Sequence, residues 1–352
     1  MGARTYFAAA LAVLLLARVA SAEPLAQAPK PGALETYRDW TVGCDNRNRC
    51  EAVSLLPEGG EWSDAPVMLG ISRTAEADAG AEVRISRNGG GRADLALFID
   101  GRKIASASAR NGDATIAGPQ AAAVAIAMAR GGVMEIRAGQ KLIGRPSLAG
   151  SAAALRYMDA RQGRAGTITA LIATGALGAT AVRPAPAPFI VKRAVIPATP
   201  LPAVLWREEL TALGKFTGCT DEMKDAQPPA QYRLSRAETL ILVPCGAGAY
   251  NFTSVPVIAT GIAGRRSWRF AAFDYQPGWS EDPQHPMLVN AGFTPDRSRL
   301  ESFAKGRGIG DCGGSEAYVW DGARFRLVEA SAMGECRGAW RWITTWSAQV
   351  IE

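Results

Sequence analysis

The chain has 352 residues, 48 % hydrophobic and 20 % charged, with 39 Lys or Arg, 33 Asp or Glu and one histidine. That length exceeds one comfortable domain, and a lone His285 without any Cys-x-x-Cys pair excludes the usual zinc sites, so no metal and no cofactor are expected. The formal charge of +6 comes largely from 32 scattered Arg residues, not from a basic run, which argues against nucleic-acid binding.

The chain opens on Arg4, an unbroken apolar run from Phe7 to Ala17, and the small-x-small triplet Ala20-Ser21-Ala22. This order reads as a secretory signal over residues 1–22, cleaved before Glu23, because the run is too short to span a bilayer. The expected product is periplasmic and has no integral membrane segment. No cysteine precedes Cys44, which closes the route of acylating a cysteine at the cleavage site. Residues 23–35 read as an N-terminal linker.

Residues 36–182 then form a first β-rich domain. Cys44 and Cys50 flank the turn-like Asn46-Arg47-Asn48, so two antiparallel strands would bring them face to face. Six cysteines allow about 15 pairings. Spacing favours the sequential set Cys44–Cys50, Cys219–Cys245 and Cys312–Cys336, as befits an oxidising compartment. In the loop-entropy model the short ring stabilises by roughly 2 kcal/mol and each longer one by roughly 3.5 kcal/mol. Asp100-Gly101 between apolar runs marks a two-residue hairpin. Gln120 to Arg130, closed by Gly131-Gly132, predicts a helix, and Ser151 is placed to cap a second one over SAAALRYMDARQ.

Six prolines between Arg183 and Ala203 predict a linker over 183–203, too proline-dense for a helix or a central strand. Beyond it lies a second β-rich domain, 204–352, holding seven of the nine Trp residues. A short helix is expected over Leu205–Leu213, followed by strands and a hairpin turn at Asp321-Gly322. Residues 36–203 carry 20 basic and 14 acidic side chains, against 16 and 17 in residues 204–352. The expected fold is α+β, β-rich: two disulfide-stapled domains built on antiparallel sheets with a few short helices.

No segment identifies a catalytic centre, and no catalytic residue is assigned. Gly308-Ile309-Gly310-Asp311-Cys312-Gly313 fits the dinucleotide fingerprint by letter, but a strand and hairpin follow it where a helix is needed. Ser302 and Lys305 fit S-x-x-K without its companion motifs, and Gly306 and Gly308 would stop the helix it requires. His285 lies between two prolines, as a loop residue would. The candidate binding residues are Arg307 and Asp311, charged groups on a disulfide-braced glycine loop whose plainer role is an ion pair inside a structural turn, and Trp340 with Trp342, expected on one face of a strand, where core packing is the default and an exposed aromatic platform the other reading.

Four segments carry a resemblance: YRDWTVGCDNRNRCEAV, SLAGSAAALRYMDARQGRAGTITAL, CGAGAYNF and KGRGIGDCGGSEAYVWDGARFRL. Together they resemble an exported bacterial family known as domain of unknown function 1176. The first half is also similar to the invasion-associated locus B family, through its Trp-x-Val-x-Cys strand and late Leu-x-Gly helix segment. The resemblance implies a periplasmic β-rich protein and brings no ligand or activity. The expected role is therefore non-catalytic binding of an envelope macromolecule, protein or glycan. The alternative is a cofactor-free hydrolase of wall or polysaccharide, favoured by an aromatic groove with two neighbouring carboxylates.

Overall fold

The computed structural model describes residues 28–61, 67–87, 90–197, 202–223, 227–278, 280 and 282–352; the stretch read as a signal, with its expected cleavage site, lies outside them. The first half begins with β1 (Leu34–Tyr37), β2 (Trp40–Cys44), β3 (Cys50–Ser54), β4 (Val67–Arg73) and β5 (Glu82–Arg87), antiparallel in chain order. Cys44 and Cys50 lie directly opposite and are bonded. Residues 34 and 35 thus already belong to a strand, a correction to the linker expected there, and Gly32 donates its N–H to Thr345 O at 2.8 Å.

A second sheet combines β6 (Ala93–Ile99), β7 (Arg102–Ala109), β9 (Met134–Ala138) and β10 (Lys141–Gly144), in the order β10-β9-β6-β7. Asp100 and Gly101 form its hairpin turn with φ of 48° and 76°, the left-handed pair such a turn requires. Between the second sheet's hairpins the chain adds β8 (Asp113–Ala117) to the edge of the first sheet, beside β5. Helix α1 (Gly118–Arg130) buries Ala121, Val124, Ala125 and Met128, the i, i+3, i+4, i+7 face. Helix α2 (Ser151–Arg161) buries Ser151, Ala154, Leu155 and Met158 by the same rule. Ser151 is not the cap: Gly150 takes that place with φ 95°, packed so tightly on Tyr37 that no side chain fits. The Ser151 hydroxyl instead donates to Leu148 O at 2.9 Å. Both sheets and both helices enclose one apolar core.

In the second half, β11 (Phe189–Lys192) runs through the proline-rich stretch. The expected linker therefore contains a strand, paired in parallel with β21 (Ile343–Ile351) at a sheet edge, where prolines on either side do no harm. Helix α3 (Arg207–Thr217) begins two residues later and ends four later than expected; Leu205 precedes it and packs in the core beneath it. A sheet follows from β12 (Ala230–Arg233), β13 (Glu238–Ala247), β14 (Phe252–Ile262) and β15 (Arg265–Phe270), with β16 (Leu288–Val289) also pairing β14. Its faces alternate: Leu240, Leu242 and Ile258 meet the last sheet, while Ile241, Val243 and Val257 meet α3. That last sheet comprises β17 (Gly292–Thr294), β18 (Arg299–Lys305), β19 (Gly313–Trp320) and β20 (Phe325–Met333), followed by β21 and β11.

Val53, Leu55 and Met68 pack with Cys312, Met333, Ala339 and Ile343, so an apolar cluster joins the halves. Arg337 reinforces it, donating to Leu56 O at 2.9 Å and pairing with Asp39. Cys219–Cys245 and Cys312–Cys336 complete the disulfides, the sequential set. The molecule is thus β-rich and antiparallel in the main, with three α-helices and three disulfides among the described residues. None of those helices is long and apolar enough to cross a membrane.

Candidate functional site

The loop from Gly306 to Cys312 connects β18 to β19, two antiparallel strands, so its glycine pattern opens no helix for a pyrophosphate. Gly306 N–H donates to Cys312 O at 2.8 Å and Gly310 N–H to Arg307 O at 2.9 Å. Gly313 closes the loop at φ 141°, with Ala304 O so near that a Cβ would collide. Arg307 donates to Asp311 at 2.6 Å, and Gly338 N–H donates to the same carboxylate at 2.7 Å. Burial pushes the Asp311 carboxyl up, yet Arg307 and Gly338 together hold it below its ordinary value. Asp311 is fully buried and its work is internal: it fastens the loop to the irregular connection beyond Cys336. Arg307 alone of the pair reaches solvent, its side chain 45 % exposed.

The two tryptophans part company. Both precede β21, in the connection that follows Cys336, and so do not share a strand face. The cause is Arg337 and Arg341, which fasten this connection to the first half, Arg341 through Ser86 at 2.9 Å and Asp113. Trp340 packs into the cluster between the halves. Trp342 lies flat on Phe303, ring centroids 4.7 Å apart and planes 8° apart. Ser302 and Lys305 also separate, because residues three apart on β18 face opposite sides. The Ser302 hydroxyl is buried and accepts from Val289 N–H at 3.1 Å. His285 is exposed, bonded to Asp282 at 2.6 Å, with its ring against Phe270.

Phe303 belongs to a groove of about 250 Å³ on the outer face of the last sheet, also lined by Arg299, Glu301, Ser315, Ala317 and Glu329. Alternation puts Arg299, Glu301 and Phe303 on one side of β18, and the register sets Ser315 against Phe303 and Ala317 between Glu301 and Glu329. Arg299 donates to Glu301 at 2.7 Å and to Glu329 at 2.9 Å, holding two carboxylates with one guanidinium. Phe303 is 36 % exposed, so an aromatic edge and an ionic cluster share the groove.

The inner face of β19 carries a set that sequence reasoning did not single out. Glu316, Tyr318 and Trp320 follow one another at spacing two. A carboxylate oxygen of Glu316, the Tyr318 hydroxyl and the Trp320 indole N–H are buried, without hydrogen-bond partners among the described residues. Burial pushes the Glu316 carboxyl up to about 7, against a hydrogen bond from the Gly278 backbone, and pushes the Tyr318 phenol far up as well. Three such polar atoms on one strand face set this spot apart from the apolar core around it. Among the described residues no group of three His, Cys, Asp or Glu could hold a metal ion.

The chain is 29 % identical over 341 residues to an uncharacterized protein, YpfG, of Escherichia coli strain K12, covering 89 % of this chain and 92 % of that one. No solved structure matches it. The model of a family described as a protein of unknown function, DUF1176, matches residues 34–349, both halves within a single match, and the chain belongs to that family.

Proposed function

We propose that the protein is exported to the periplasm and there binds an envelope glycan without transforming it, in the Phe303 groove. The observation that carries this reading is the stacked Phe303–Trp342 pair beside Arg299, Glu301 and Glu329. The C–H groups of a sugar ring pack on the exposed part of an aromatic ring, while its hydroxyls donate to carboxylates and accept from a guanidinium. Three disulfides support the oxidising compartment. Titration with soluble peptidoglycan fragments and with envelope polysaccharide tests the reading. Ser315→Arg, which fills the groove, should weaken binding by about tenfold or more with an unchanged thermal midpoint. Equal binding by wild type and variant would remove the groove from consideration.

Glu301 and Glu329, flanking one groove, favour a second reading, hydrolysis of the same class of ligand by a carboxylate pair. Their common bond to Arg299 suits two paired anions better than an acid and a base. Release of reducing ends from those polysaccharides, abolished by Glu301→Gln or Glu329→Gln, would establish the hydrolase.

A further inference from the structure

The 48 residues between Asp159 and Glu208 contain no acidic side chain but six basic ones, and from Thr167 to Val182 there is no charge at all. This uncharged stretch is neither helix nor sheet, apart from a 3-10 turn at Ala179–Ala181. Irregular surface segments are ordinarily polar. Here Ile168 and Leu177 stand 65 % and 57 % exposed, their backbones joined by Ile168 N–H donating to Leu177 O at 2.8 Å. Thr174, Gly175, Ala176 and Gly178 are exposed around them.

The loop's shape is imposed from below by buried charge. Asp159 accepts the backbone N–H groups of Leu171 and Ile172 at 2.9 Å and of Ala173 at 3.0 Å, and Arg73 at 2.7 Å. Gln162 accepts from Arg73 at 2.8 Å, and Arg164 reaches Ala77 O at 3.0 Å. All four side chains are buried. Burying such a network is expensive and contributes order more than stability, so the apolar tip is held out rigidly. Exposed basic groups flank it: Arg161 at the end of α2, and Arg183, whose guanidinium lies against Gly163. The neighbouring acids Glu76 and Asp78 act on the buried Arg164.

We infer that the loop from Gly163 to Val182 docks on an anionic lipid bilayer, with Ile168 and Leu177 entering the headgroup boundary and Arg161 and Arg183 meeting lipid phosphates. Charge complementarity selects this occupant: an uncharged apolar tip between cations, with no acid in the whole stretch, matches an apolar layer beneath a negative surface. Basic side chains near such a surface are attracted to its negative potential, and small residues let the backbone approach the headgroups. The inference rests on export but not on the glycan groove, and N-terminal sequencing of the protein recovered from the periplasm tests export separately.

The experiment is co-sedimentation of that exported form with vesicles of phosphatidylglycerol and phosphatidylethanolamine, and with vesicles of phosphatidylcholine. The expected result is binding to the anionic vesicles that weakens about tenfold on neutral ones or in high salt. The double change Ile168→Asp, Leu177→Asp should abolish it, and Arg161→Gln, Arg183→Gln should reduce it, both with an unchanged thermal midpoint because all four side chains are exposed. Binding that survives Ile168→Asp, Leu177→Asp overturns the inference, as does a failure to sediment with any vesicle. A wild-type dimer converted to monomer by the same double change also overturns it, assigning the tip to a second copy of the chain.

Discussion

Glu316 is where a single side chain should dominate the response to pH. Its folded value near 7 lies above the ordinary 4.5, so the protonated form is the one the fold accommodates. The associated stability is fully present below pH 4.5 and is lost as pH rises through 7, a change of roughly 3 kcal/mol in total. Glu316→Gln should therefore raise the denaturation midpoint above pH 8 and leave it nearly unchanged at pH 4; equal effects at both pH values would contradict the burial argument. Asp311 is the contrasting case, a buried carboxylate that is fully partnered. Asp311→Ala and Arg307→Ala should each cost about 3 kcal/mol by chemical denaturation, the first because Gly338 N–H loses its acceptor and the second because a buried carboxylate loses its cation. The spacing of Arg307 and Asp311 is legible in the sequence because both sit on one short loop. Glu316 is not, since which side of β19 meets the core is set by packing against Leu240, Leu242 and Ile258, which are distant along the chain.

Elements declare themselves when their cause is local. The Asp100-Gly101 hairpin needs only two left-handed residues, α1 only its apolar period, and the three disulfides only short separations. The exceptions are elements shaped by distant neighbours. β11 forms between Pro188 and Pro197 because β21 supplies its hydrogen bonds, and an edge strand needs them on one side only. The late start of β21, which takes Trp340 and Trp342 out of the strand, follows from contacts that Arg337 and Arg341 make with the first half. The loop after α2 depends in the same way on Asp159, so Asp159→Ala, which leaves Arg73 unpaired and three backbone N–H groups without their acceptor, should destabilise by about 3–5 kcal/mol. Hydrogen exchange should show Leu171, Ile172 and Ala173 losing protection first; uniform loss across the first half would argue against a local brace.

For the molecule as a whole, we propose that residues 36–182 and 204–352 fold as separate units. Each disulfide lies within one of them, and each has its own apolar core. Composition suggests this division through the proline run, but it hides the joint, whose residues come from four separate stretches of chain. Trypsin should leave the proline run closed, because Arg183 is followed by Pro184, Lys192 lies in β11 and Arg193 is bonded to Ile351 O, whereas elastase should cut beside the exposed Ala203 and Val204. The fragments should elute together in native gel filtration and separate in denaturant without reductant, since Arg337 and the apolar cluster join them and no covalent bond does. Separation under native conditions would mean that the joint is weaker than its burial implies.

The order of the cysteines also bears on how the chain is made. For the exported chain we propose, sulfurs 6, 26 and 24 residues apart would let each bond close between neighbours before the next pair emerges from a translocation pore. An oxidase acting on the nascent chain meets one eligible partner at a time, and the native connectivity is reached without reshuffling. Cells lacking a disulfide isomerase should accumulate the protein at the normal level, whereas loss of the primary oxidant should deplete it. The last hydrogen bonds to form would then be those of Gly32 with Thr345 and of Asn46 with Ser347, which wait for the final strand and fasten the start of the chain to its end.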